Sequence, residues 1–160
     1  MPEIVRQAAL VAAAADTGLF AGLFTAFAYA VMPGLARAGD TAFVEAMQAI
    51  NAAILNPVFA AVFAGTPVLL AAAAAAHLGE DGSAAAWLGA ALALVAAVIA
   101  VTMALNVPLN NALERAGHPS GPDQAARARR AFETAWVRWN VLRAALSVAA
   151  LACTAAALAA

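Results

Sequence analysis

The sequence contains no lysine, a single cysteine, only two histidines and few charges of either sign. Its eight basic residues are all arginine, and against nine Asp and Glu they leave a net charge of −1. So nearly neutral a chain offers no basic surface for a polyanion, and nucleic acid is not an expected partner. The missing lysine reads as base composition of the gene rather than as mechanism. One cysteine, Cys153, excludes an internal disulfide framework. Together with His77 and His118 it makes a poor stock of ligands, so no metal or haem site is expected.

What the chain has instead is apolar surface. Of 160 residues, 66% are hydrophobic and 11% are charged, with a mean hydropathy of +0.86. A soluble domain is nearer half apolar and a quarter charged. One small core cannot bury this much, so lipid must cover much of it. The fold class that follows is all-α: an integral membrane four-helix bundle forming one domain over residues 1–160. A span needs about 20 mostly apolar residues, and four stretches qualify, at about 8–32, 56–78, 84–105 and 141–160. The first resembles a secretory signal, but Asp16 interrupts it and the apolar run continues to Met32, so a retained helix is expected.

Local chemistry marks the ends. Pro33-Gly34 should stop the first span. Asn56-Pro57 suits an N-cap followed by a first helical position. Pro67 should kink the second span, Gly79-Glu80-Asp81-Gly82 should end it, and Asn106 and Pro108 should end the third. Between the first two spans, residues 41–55 read as a short helix with Phe43, Val44, Met47, Ile50 and Ile54 on its apolar side, lying at the interface or tucked under the bundle. After the loop at 117–122, Asp123 is the expected N-cap of a helix that runs unbroken into the fourth span.

Arginine sets the expected orientation. Seven of the eight lie on the face carrying the first and third connections, and only Arg6 lies on the other. The positive-inside rule then puts both long connections in the cytoplasm and both termini outside, in a multi-pass protein of the cell membrane.

The asparagines are the strongest asymmetry. All six (Asn51, Asn56, Asn106, Asn110, Asn111, Asn140) fall at that same face. An amide near hydrocarbon is unfavourable unless its donor and acceptor find partners, so a shared hydrogen-bonded layer is expected, with helix capping as the simpler role. Asn106 and Asn110 share a face if the helix persists past Pro108. Glu133, Trp136, Asn140 and Arg143 form a stripe at spacings of three, four and three. An interfacial belt accounts for Trp136 and Trp139. It accounts less well for Arg143, about a turn into the span, where arginine usually has a partner or lines a wet cavity. Asp16, some 25 Å back from Pro33 at the helical rise, is expected near the outer interface.

Several motifs carry a family resemblance. The series from Ala30 to Arg37, Phe43 to Asn51 and Asn56 to Phe59, then Asn106-Val107-Pro108-Leu109-Asn110-Asn111 and Trp136 to Arg143, resembles the anthrone oxygenase-like family, in order and over most of the chain. The resemblance implies a small four-helix membrane protein. It also implies oxidation of an anthrone-like polycyclic aromatic by molecular oxygen without an evident cofactor, although bacterial members are mostly known only as a domain of unknown function. On that reading Arg143, Asn140, Asn106 and Asn110 would hold an enolate oxygen. Trp136 or Trp139 would stack on the flat substrate, Asn51 would join the binding residues, and Glu133 would be the general base, with His118 behind it. The partners would be the lipid bilayer, a hydrophobic aromatic small molecule and oxygen. The competing readings are a non-enzymatic binding or assembly module, favoured by a packed polar layer without a cavity, and a small transporter. The transporter lacks support from any ionisable ladder or repeat.

Overall fold

The computed structural model describes residues 2–79 and 82–160. Five helices account for them: α1, Glu3–Leu35; α2, Asp40–Ala53; α3, Pro57–Ala76; α4, Ser83–Arg115; and α5, Pro122–Leu158. Four of these, all but α2, are long and apolar enough to cross a membrane. The protein is a multi-pass membrane four-helix bundle, in which α1 packs on α3 and α5, and α4 packs on α3 and α5. The expected turn at Glu80-Asp81 lies outside the described residues.

Two helices overrun the ends expected from their prolines, for one shared reason. Pro33 and Pro108 each lack an N–H, and each ring crowds the carbonyl four residues back. In α1 the backbone widens into a π turn over Phe27–Val31, and in α4 it does so over Thr102–Asn106. Each turn holds the residue four before the proline, so the helix absorbs the ring instead of stopping. Thus α1 reaches Leu35 rather than Met32, and α4 reaches Arg115 rather than Leu105.

The other ends follow local rules. Asn56 caps α3 by accepting from the Phe59 N–H at 3.0 Å, with Pro57 at the first position. Pro67 sits inside α3, which continues to Ala76. Gly121, not Asp123, occupies the N-cap of α5, because Pro122 takes the first helical position and moves Asp123 into the first turn. At 37 residues α5 is about 55 Å long, well beyond the ~30 Å hydrocarbon thickness. Its arginine-bearing first half therefore stands towards water.

The short helix α2 is tucked under the bundle. It buries Phe43, Val44, Met47 and Gln48, and with Met32, Leu113, Phe132 and Trp136 these apolar side chains form a second core below the main one. Gln48 donates to the carbonyls of Leu113 at 3.0 Å and Gly117 at 3.1 Å, which closes the end of α4. Arg129 of α5 does the same for the end of α1. It donates to the carbonyls of Ala36 and Ala38, to Asp40, and twice to Glu133, at 2.6–3.3 Å, while lying 4.6 Å from the centre of the Phe43 ring.

Asp16 has a structural partner on the neighbouring span. Its Oδ2 accepts from the hydroxyl of Thr66 at 2.7 Å, and Thr66 is the tenth residue of the 20-residue α3. The pair therefore lies level with the middle of α3, a position only the partner helix could reveal. Thr66→Val keeps the shape and removes this hydrogen bond. It is expected to lower stability by about 1–3 kcal/mol, read as the unfolding midpoint in detergent. An unchanged midpoint would mean that the carboxyl already finds water.

Candidate functional site

At the arginine-rich end the bundle opens into a cavity of about 560 Å³, a size usual for small-molecule sites (about 300–1,000 Å³). Phe24 and Phe27 of α1, Phe59 and Phe63 of α3 and Met103 of α4 make much of its wall apolar and aromatic. Polar groups enter from three helices: Asn51 from α2, Thr102, Asn110, Asn111 and Glu114 from α4, and Trp136, Asn140 and Arg143 from α5. Both π turns contribute, through Phe27 and through Thr102 and Met103.

Arg143 dominates the electrostatics. It is only 5% exposed, and among the described residues no carboxylate pairs with it. Its Nη1 donates to the Thr102 hydroxyl at 3.3 Å and its Nη2 to Asn140 Oδ1 at 3.0 Å. The guanidinium carbon lies 4.6 Å from the centre of the Phe24 ring and 5.3 Å from that of Trp136, so two aromatic faces meet the cation. Its Nε is buried without a partner. Asn140 anchors the pair by donating to the Phe24 carbonyl at 3.1 Å. The result is a fixed, desolvated cation on an aromatic wall with one donor unspent. A buried charge of this kind is costly unless something pairs with it.

The rest of the stripe divides. Trp136 Nε1 donates to Asn110 Oδ1 at 2.7 Å, and its ring stacks on Phe132 with centroids 5.8 Å apart. Asn51 lines the cavity with its Nδ2 buried and unpartnered. Asn106 does not line it. It is buried between α4 and α5, where its Nδ2 reaches the Trp136 carbonyl at 3.4 Å and its Oδ1 has no partner. Trp139 also lies off the cavity, beneath Arg138 at 5.3 Å. Glu133 is held by Arg129 through both carboxylate oxygens and is not part of the lining. His118 is exposed in its loop. The structure thus gathers Asn51, Asn110, Trp136, Asn140 and Arg143 around one space and leaves Glu133, Asn106 and Trp139 outside it.

Glu114 is the lining carboxylate that sequence reasoning missed. The signal was its spacing of four from Asn110, which puts the two on one face of the helix beyond Pro108.

A four-helix membrane protein with an aromatic, cation-bearing cavity at one end is the class that fold and site define. Residues 55–153 match the family model described as anthrone oxygenase, and the chain belongs to that family. The match covers α3, α4 and most of α5, hence Thr102, Asn110, Asn111, Glu114, Trp136, Asn140 and Arg143. No curated protein and no solved structure matches the chain.

Proposed function

We propose that this protein is a membrane-embedded oxygenase that oxidises an anthrone-like polycyclic aromatic with molecular oxygen, needing no bound cofactor. The observation that carries the reading is Arg143, a buried cation without an anionic partner on the wall of an aromatic cavity. An anthrone has an acidic methylene across its central ring from a carbonyl. Losing that proton makes an electron-rich enolate whose charge sits largely on oxygen, and such an enolate reacts with oxygen directly. Arg143, oriented by Asn140 and Thr102, would pair with the enolate oxygen as it gains charge, which is the oxyanion-site principle. Trp136 and the phenylalanines would hold the flat rings. A hydrogen-bonded layer closed on itself would have suited a structural module. Here the polar residues instead line an open space of about 560 Å³, which favours a ligand.

The arginine distribution supports an orientation in the cell membrane with the cavity end towards the cytoplasm. A lipid-soluble substrate could then enter from the bilayer.

The test is oxygen uptake and anthraquinone formation by purified protein given a simple anthrone. A rate well above the spontaneous oxidation is expected. Saturable binding of the anthrone without turnover would instead favour a binding module.

A further inference from the structure

Enolate formation requires somewhere for the proton to go. Among the described residues the cavity wall carries no histidine, cysteine, tyrosine or lysine, and Glu114 is its one carboxylate. Glu133, the base suggested by the stripe, lies off the wall with both oxygens engaged by Arg129. Glu114 differs on every count. Among the described residues its carboxylate makes no hydrogen bond or ion pair, and the residue is exposed at the mouth. It follows Val107, Asn110 and Asn111 at spacings of seven, four and three on α4, so these four share the face turned to the cavity. The cavity is therefore polarised, with a buried donor deep in the wall at Arg143 and an acceptor at the water end. A ring ketone bound with its oxygen on Arg143 points the opposite carbon of its central ring away from that donor, towards the mouth.

We propose that Glu114 is the general base of the oxygenation. This rests on the oxygenase reading and names the group that drives it. Glu114 takes one methylene proton, and the C–H electron pair passes into the ring system as the enolate. The enolate carbon bonds to molecular oxygen, two electrons reduce the oxygen to peroxide, and its outer oxygen takes the proton back to give a hydroperoxide. Glu114 then removes the second proton from the same carbon. That C–H pair forms the new C=O as the O–O bond breaks, and the departing hydroxide leaves as water. Overall, one anthrone and one oxygen molecule give one quinone and one water. Exposure at the mouth lets Glu114 exchange its proton with bulk water between turnovers.

The experiment measures oxygen uptake and, without oxygen, deuterium exchange into the anthrone methylene, for wild type, Glu114→Gln and Glu114→Ala. Glu114→Gln should fold normally, because the wild-type side chain holds nothing in place. The expected result is a kcat about 10²–10⁴-fold lower in Glu114→Gln, with KM little changed and exchange slowed alongside. Partial recovery of Glu114→Ala by added formate should accompany it, an effect a structural role would not produce. If the wild type turns over and Glu114→Gln keeps its rate, the base assignment falls and the oxygenase reading stands. If the wild type does not exceed the spontaneous rate, the oxygenase reading falls and takes the base with it.

Discussion

Replacing Arg143 by methionine is expected to abolish anthrone oxidation while leaving the protein at least as stable as before. The two halves come from one fact, that this guanidinium is buried and has no carboxylate. For activity, losing a preorganised oxyanion donor typically lowers kcat by about 10²–10³-fold. For stability, the desolvation of an unpaired cation weighs several kcal/mol against folding. Two hydrogen bonds and two aromatic faces offset it only in part. Methionine fills similar volume, Thr102 keeps its bond to the Val98 carbonyl at 2.8 Å, and Asn140 Oδ1 can turn to cavity water. Oxygen uptake and thermal unfolding in the same detergent check both halves. A midpoint that falls by many degrees would make Arg143 a structural clamp and the lost activity a by-product. Lysine at 143 should recover only part of the rate, since an ammonium cannot keep the fork to Thr102 and Asn140.

Arg129→Ala should have the opposite profile, large in stability and indirect in activity. Five hydrogen bonds leave with this side chain, and the carbonyls of Ala36 and Ala38 and the carboxylate of Glu133 lose their donor. Breaking a fully buried ion pair costs about 3–5 kcal/mol. Asp40 and Glu133 keep some access to water, so on the order of 2–4 kcal/mol is expected here. The unfolding midpoint measures it. Because the lost contacts hold the start of α2, and α2 carries Ile50, Asn51 and Ala52 to the cavity, KM for the anthrone should rise more than kcat falls. Arg129→Lys should rescue little, since a single ammonium cannot cap two carbonyls and grip two carboxylates at once. A variant with wild-type stability would show that α2 is held by its apolar face alone.

Sequence reading went far where the information is local. Four apolar runs fixed the number of spans, Asn56-Pro57 named its own cap, and Arg143 drew notice because an arginine that deep needs a reason. It failed where the answer depends on another helix. Asp16 has no partner until the fold brings Thr66 beside it. Glu133 shares a helix with Arg143, but it lies off the cavity wall, and Arg129 one turn away claims its carboxylate. Asn106 matched Asn110 by spacing, yet it sits in the π turn, where spacing of four stops predicting a common face. Glu114 drew no notice because nothing in the sequence shows which face of its helix meets a cavity that other helices help to build.

The two widened turns also bear on how such chains can be compared and altered. Each holds one residue more than a regular helix would place in the same length, which is how a helix accommodates a single inserted residue. A relative with an unbroken α-helix at either place would align only across a one-residue gap, at 27–31 or at 102–106. Counting from the wrong side of such a gap would pair Glu114 with a neighbour's outward-facing residue, and a motif intact in space would look eroded in the alignment.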